Sequence, residues 1–170
     1  MKNAIFDLKR LIMENPTVQY KALFDMDGTL ARFYDDENCL VNMHNPGYYE
    51  NLGIHRNMLK TMLQAIKLLG VENVFIISAY IDSPYCKQEK LNWLEKNVPI
   101  MLPAENILLV PCGIPKTQFI PGGVNESTIL FDDYNKNLME WVAAGGTAIK
   151  AINPINHVNG TWQGEVLLCD

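Results

Sequence analysis

Short apolar runs alternate with segments of helical periodicity along most of this chain, and this alternation limits its fold more than any other feature. The predicted strands are Tyr20–Asp25, Asn73–Ile77, Asn106–Val110, Thr128–Phe131 and Thr147–Ile152, and the predicted helices are Asn3–Glu14, His55–Leu69, Pro84–Asn97 and Asn135–Ala144. Strand-helix-strand units of this kind cross over with right-handed geometry and place their strands in parallel. The sequence therefore predicts an α/β fold: a Rossmann-like three-layer α/β/α sandwich around a mainly parallel, five-stranded sheet.

The domain organisation is predicted to be simple, because the chain has no internal repeat and no Pro-, Gly- or Ser-rich linker. We expect one domain over residues 1–170. The irregular stretch at about 31–54, which holds a Pro, two Gly and several aromatics, is predicted to form a short cap insertion. The tail after Asn153 is predicted to form a terminal hairpin or an extended flap.

The composition excludes several classes of protein. With 48% hydrophobic and only 19% charged residues the chain is not disordered, and an interface between copies in a homo-oligomer remains open. A net charge of -5 argues against partners such as nucleic acid polymers or anionic membranes. No apolar run has the length of a membrane span and the first residues carry charges, so we expect a cytoplasmic protein.

The four cysteines are far apart in the sequence and form no C-x-x-C pair. Neither a zinc site nor a dense disulfide framework is expected from such spacing. We expect reduced thiols, mostly buried.

Carboxylates follow two of the predicted strands at the point where each strand ends. Asp25 and Asp27 end the first strand, and Asp132 and Asp133 directly follow the run 129–131. Because the carboxyl ends of parallel strands share one edge of the sheet, we expect the four carboxylates to converge. Such a cluster is unfavourable without a cation, and oxygen ligands of this kind suit Mg²⁺. A magnesium site is therefore predicted.

A D-x-D pattern also occurs in calcium-binding loops and in plain turns, and both fit this chain less well. An EF-hand loop beginning at Asp25 would need Gly and Glu at positions where this chain has Leu30 and Asp36. A purely structural turn at Asp27-Gly28 would not account for the second acidic pair after another strand.

Two further strand ends add complementary groups, a hydroxyl from Ser78 and a cation from Lys116. Each residue alone is weak evidence, since a loop Ser is commonly a backbone cap and a Lys is commonly solvated. Ser78 and Lys116 each follow a predicted strand, as the two acidic pairs do, so a chance arrangement is improbable.

At this point the chain resembles the haloacid dehalogenase superfamily of aspartate-nucleophile phosphatases, whose four motifs are similar to Asp25-Met26-Asp27-Gly28-Thr29, Ser78, Lys116 and Asp132-Asp133. The resemblance covers about residues 20–152. Within it, the blocks 24–30, 85–97 and 131–135 are similar to the cytosolic 5'(3')-deoxyribonucleotidase branch, and Glu89-Lys90 and Trp93 carry the similarity of the second block. A fold of the haloacid dehalogenase type is implied.

The resemblance also implies a role for each motif residue. Asp25 would attack phosphorus to form an aspartyl-phosphate, and Asp27 would act as general acid and then general base. The metal ligands it implies are Asp25, the backbone carbonyl of Asp27, Asp132 and Asp133. The phosphate-binding residues it implies are Ser78, Lys116, Gly28 and Thr29.

The expected activity is Mg²⁺-dependent hydrolysis of a small phosphomonoester, with a 5'-nucleoside or deoxynucleoside monophosphate as the expected substrate. In the deoxyribonucleotidase branch, cap aromatics stack on the base, and the candidates here are Phe33, Tyr34, Tyr48 and Tyr49. Packing of a small lid is the alternative role for these rings. A sugar phosphate or phosphorylated macromolecule as substrate, and a non-catalytic binding protein that keeps the fold, remain open.

Overall fold

The computed structural model describes residues 6–155 and 161–170. Within these ranges the strands are β1 Lys21–Phe24, β2 Val74–Tyr80, β3 Ile107–Pro111, β4 Thr128–Asp132, β5 Thr147–Ile152 and β6 Val166–Leu168. The α-helices are α1 Leu8–Glu14, α2 Cys39–Asn42, α3 Arg56–Leu69, α4 Cys86–Asn97 and α5 Asn135–Ala143. The predicted α/β class with a parallel sheet is confirmed.

The sheet has six strands in the order β3-β2-β1-β4-β5-β6, and every neighbouring pair is parallel. The short strand β1 lies at the centre, where Leu23 is opposite Phe75 of β2 on one side and Leu130 of β4 on the other. At the end of β1, Phe24 is opposite Phe131. This register fixes which residues follow the two central strands at the sheet edge.

The prediction of five strands was wrong, because the tail contributes β6. Lys150 of β5 is opposite Val166 in a parallel pairing, so the tail is not the second strand of a hairpin. Val166 and Trp162 are buried, and Cys169 N–H donates to the carbonyl of Ile152. Burial of these apolar side chains holds the tail against the sheet edge.

The first helix was predicted to begin at Asn3, but residues 1–5 lie outside the described ranges and α1 begins at Leu8. Asp7 is the N-cap, and its side chain accepts a hydrogen bond from Arg10 N–H. Phe6 instead donates its backbone N–H to Val166. Phe6, which precedes the N-cap, therefore contacts the edge strand β6.

Two apolar cores cover the two faces of the sheet, because successive side chains of a strand point to opposite faces. Phe24 belongs to the core that holds Met58 of α3 and Trp93 of α4. Leu23 belongs to the core that holds Trp141 of α5. The sheet is thus the middle layer of three, with α3 and α4 on one face and α5 on the other.

No helix within residues 6–155 and 161–170 combines the length and the apolar character needed to cross a membrane.

We expect Trp141→Ala to lower the free energy of unfolding by about 3–5 kcal/mol, because it removes a fully buried ring and its hydrogen bond to the Thr128 carbonyl. Urea denaturation measures this loss. Met139→Ala is the matched control on α5, since Met139 is exposed and its change should stay within about 0.5 kcal/mol. Equal losses in the two variants would contradict the assigned core.

Candidate active site

The register of β1 and β4 places three carboxylates together at the carboxyl edge of the sheet. Asp25 and Asp132 follow the paired residues of the two strands, and Asp25 N–H donates to the Phe131 carbonyl at 2.9 Å. Asp25, Asp132 and Asp133 are all buried, and each offers an oxygen within 4.8 Å of the others. The predicted convergence of these three side chains is therefore present.

Lys116 supplies positive charge to this carboxylate group. It begins a 3₁₀ turn after β3, and its buried Nζ donates to Asp25 Oδ1 and to Asp132 Oδ2, both at 2.6 Å. Asn137 donates to the same Asp132 oxygen at 2.9 Å, and Tyr134 N–H donates to the other at 2.8 Å. Both carboxylate oxygens of Asp132 therefore accept hydrogen bonds.

Burial and mutual repulsion shift the protonation equilibria of the group. Burial raises the pKa of Asp25 to about 7, and Asp132 adds to that rise, while Lys116 opposes it. Burial, then the charges of Asp132 and Asp25, raise the pKa of Asp133 well above its usual value. Burial lowers the pKa of Lys116, but the two carboxylates that it contacts raise it by more. With all three carboxyl groups ionised, the ammonium groups of Lys116 and Lys150 would leave an excess of negative charge. Protons relieve this excess in the metal-free protein, and a divalent cation would balance it.

Asn153 and Lys150 hold Asp133 and the D-x-D-G turn, and the sequence analysis did not identify either residue as part of the site. Asn153 Nδ2 donates to Asp133 Oδ2 at 3.0 Å and to the Gly28 carbonyl at 2.9 Å. Lys150 Nζ donates to the Asp133 carbonyl at 2.9 Å. Gly28 has φ of 82°, and a Cβ there would lie 2.4 Å from Asp133 Oδ2. Only glycine fits this close approach without a shift.

The carboxylate of Asp27 lies outside the group of three and pairs with a lysine from α4. Lys90 Nζ donates to Asp27 Oδ2 and, at 2.9 Å, to Ser78 Oγ. Three of the four carboxylates that were expected to converge therefore do so. The D-x-D pair is divided, because Asp25 contacts Lys116 whereas Asp27 contacts Lys90. Ser78, expected at the phosphate, is the hydrogen-bond partner of Lys90.

Lys90 is a site residue to which the sequence analysis gave no role, although it belongs to the block 85–97 of the resemblance. Its side chain is completely buried on the apolar face of α4, four residues after Cys86 and four before Leu94, which are also buried. A charged residue at helical spacing between core positions was the available signal, because a buried lysine requires a partner.

Two buried side-chain oxygens within the described residues have no hydrogen-bond partner, and both belong to the D-x-D-G-T motif. They are Asp27 Oδ1 and Thr29 Oγ1. Buried polar atoms without partners are rare in folded proteins, and a bound ligand is one way to satisfy them. Both atoms belong to residues that are close to Asp25 in the sequence.

The four aromatic candidates of the insertion pack on one another. Phe33 contacts the rings of Tyr34, Tyr48 and Tyr49 at centroid distances of 5.1, 5.7 and 6.3 Å. Phe33 and Tyr49 are buried, whereas Tyr34 and Tyr48 are partly exposed. Tyr34 borders the carboxylates, since its ring lies 2.7 Å from a Cβ built on Gly28. Tyr34 and Tyr48 are the two rings with surface to offer a ligand.

Helix α4 fastens the insertion to the core. Glu89 accepts hydrogen bonds from the backbone N–H groups of Gly47 at 2.6 Å and Tyr49 at 3.1 Å. Trp93 Nε1 donates to the Leu52 carbonyl at 2.7 Å. The insertion is therefore held in place by side chains that the sequence analysis did not associate with it.

Comparison with known proteins finds no family model that matches this chain, and no curated protein matches it.

In metal-free protein, we expect the free energy of unfolding to fall as pH rises from about 4 to about 7. The Asp25 carboxyl has a pKa of about 7 when folded and 3.8 as its ordinary value, so the folded state binds more protons in this window. The stabilisation that the Asp25 carboxyl contributes is fully present below its ordinary pKa of 3.8. It is lost as the pH rises through the folded-state pKa of about 7. Denaturation in the presence of chelator measures the slope.

Asp25→Asn should make that slope shallower and should leave the variant the more stable protein above pH 7. Asp82→Asn, at an exposed carboxyl, is the matched control and should follow the wild-type curve. Parallel pH curves for wild type and Asp25→Asn would contradict the assigned role of Asp25 burial.

Proposed function

We propose that this protein is a Mg²⁺-dependent phosphomonoester hydrolase of the haloacid dehalogenase superfamily, with Asp25 as its nucleophile. The observation that carries the proposal is the buried group of Asp25, Asp132 and Asp133 beside Lys116, at the carboxyl edge of a parallel sheet. Ligands bind at that edge in open α/β sheets. The motif resemblance and this geometry support the same chemistry.

The donor set suits magnesium. Three carboxylate oxygens within 4.8 Å of one another are hard ligands, and Lys116 and Lys150 do not balance the charge of the three carboxylates. Asp25, Asp132 and Asp133 would hold the ion, with the Asp27 carbonyl as the further ligand that the motif resemblance implies. Bound Mg²⁺ supplies positive charge that offsets repulsion between these carboxylates and an anionic phosphoryl group.

Asp25 is the proposed nucleophile, and its contacts support this role. Its backbone is hydrogen-bonded to β4 and its Oδ1 is held by Lys116, so its carboxylate has a fixed position. A carboxylate oxygen forms a bond to phosphorus while the bond from phosphorus to the leaving oxygen breaks, which gives an aspartyl-phosphate. Water then attacks that phosphorus and releases inorganic phosphate. Lys116 favours the reactive carboxylate form, since a nearby cation stabilises the anion.

Asp27 serves as the proton carrier in this scheme. Its Oδ1 is buried and has no partner within the described residues, while Oδ2 is bound by Lys90. The carboxyl group protonates the leaving oxygen in the first step and takes a proton from water in the second. Thr29 Oγ1, the other buried oxygen without a described partner, is available to a phosphoryl oxygen.

A nucleoside monophosphate is the proposed substrate class, because Tyr34 borders the carboxylates and both Tyr34 and Tyr48 have partly exposed rings. The burial of Phe33 and Tyr49 favours a second candidate, a smaller phosphomonoester such as a sugar phosphate. Because Phe33 and Tyr49 are buried by packing, only Tyr34 and Tyr48 among the four candidate rings have exposed surface on which a base could stack.

Purified protein should release phosphate from a small phosphomonoester only when Mg²⁺ is present, and Asp25→Asn should reduce the rate by about 10³-fold or more, because an amide cannot act as the nucleophile. The rate of phosphate release at saturating substrate measures both the Mg²⁺ requirement and the effect of Asp25→Asn. Asp82→Asn, at an exposed carboxyl, should match the wild type. Turnover that survives in Asp25→Asn or in chelator would reject the proposal.

Replacing Tyr34 or Tyr48 by Ala should raise KM for a nucleoside monophosphate by about 10–100-fold if that ring stacks on the base. Hydrolysis of a minimal aryl phosphate should change little. Tyr85→Ala, at an exposed tyrosine next to α4, controls for loss of a surface ring. Equal effects on both substrates would assign the ring to packing and would favour the smaller phosphomonoester.

A further inference from the structure

Lys90 is a buried cation whose contacts are not accounted for by packing. Its side chain has no exposed surface, and its Nζ contacts Asp27 Oδ2, Ser78 Oγ and the face of the Tyr49 ring at 4.9 Å. Desolvating an ammonium and a carboxylate is costly, and an apolar side chain of similar volume is commonly as stable or more stable. Stability alone is therefore a poor reason for this pair.

We propose that Lys90 is the positioning residue for Asp27: it fixes one carboxylate oxygen so that the other exchanges the proton in phosphoryl transfer. This inference rests on the proposed phosphatase function. It adds a residue from α4, outside the four motifs, to the machinery at the carboxyl edge of the sheet.

The two oxygens of Asp27 have different surroundings. Oδ2 receives the hydrogen bond from Lys90, whereas Oδ1 is buried with no partner within the described part of the chain. One oxygen of the carboxylate is thus held and the other is left for proton exchange. A general acid must hold its proton within hydrogen-bond reach of the reacting oxygen, so this restraint on rotation has a direct use.

The two buried lysines that contact the D-x-D pair, Lys116 and Lys90, have separate partners. Lys116 contacts Asp25 and Asp132, and Lys90 contacts Asp27 and Ser78. The nucleophile and the proton carrier are therefore held by different cations. This division makes their effects on the reaction separable by mutation.

The position of Lys90 is itself fixed by its helix. The preceding residue, Glu89, binds the backbone of the insertion, and Trp93 one turn later binds the Leu52 carbonyl. The long, flexible lysine side chain consequently begins from an anchored backbone and ends on two partners.

Asp27 and water account for every proton transferred in the reaction, and Lys90 is not needed as a proton donor or acceptor. The proton on Asp27 passes to the leaving oxygen as its bond to phosphorus breaks. The resulting carboxylate takes a proton from the water that attacks the aspartyl-phosphate, which restores the starting state. Lys90 donates hydrogen bonds throughout and transfers no proton.

The test compares kcat/KM for 4-nitrophenyl phosphate, whose leaving group needs little protonation, with kcat/KM for phenyl phosphate, whose leaving group needs more. Lys90→Met should slow phenyl phosphate by about 100-fold, because a misplaced proton carrier costs about that factor. It should slow 4-nitrophenyl phosphate by less than about tenfold. Asp27→Asn should show the same dependence on the leaving group. Lys96→Met, an exposed lysine on the same helix, should match the wild type on both substrates.

The double variant Lys90→Met/Asp27→Asn should have the same kcat/KM as Asp27→Asn alone, because Lys90 acts only through Asp27. This variant removes both charges, so it decides the question by itself should Lys90→Met fail to fold.

Equal slowing of both substrates with a raised KM would make Lys90 a phosphate ligand and overturn the proposal, as would a double variant slower than Asp27→Asn. Absence of wild-type hydrolysis of both esters would instead reject the proposed phosphatase function, and this inference with it.

Discussion

Repulsion among three buried carboxylates at the ends of β1 and β4 is the constraint on which the rest of the site depends. Parallel pairing of the two strands forces Asp25 and Asp132 together, and Asp133 follows directly. Lys116 offsets part of the repulsion through two short hydrogen bonds, and burial raises the pKa of Asp25 to about 7. A divalent cation completes this balance in the proposed function. In the proposed function, the charge of that cation would also offset the repulsion between Asp25 and an anionic phosphoryl group.

Much of this arrangement could be predicted from the sequence, because strand ends and sheet edges follow from local patterns. Polar residues that end apolar runs locate Asp25 and Asp132, and parallel topology brings them to one edge. The three-residue strand β6 could not be predicted in this way, since it is short and its partner β5 is set by tertiary packing. Asn153 was named only as the residue after which the tail begins, yet it donates to Asp133.

Helix α4 shows why periodicity alone gives an incomplete site. Its buried face includes Glu89 and Lys90, which a hydrophobic pattern treats as interruptions, but which bind the insertion and Asp27. Burying these charges is unfavourable unless they have partners, and the partners are known only from the structure. One helix thereby connects the short insertion with the proposed proton carrier.

Titration of Mg²⁺ into chelator-treated protein by isothermal calorimetry tests the central claim most directly, since it measures binding without assuming a substrate. The account predicts one saturable site in the wild type and at least about a tenfold loss of affinity in Asp132→Asn, because second-sphere or ligand changes typically cost about 10–100-fold. Asp27→Asn should retain affinity, since its carboxylate lies against Lys90. No saturable binding, or equal affinity in wild type and Asp132→Asn, would contradict the account.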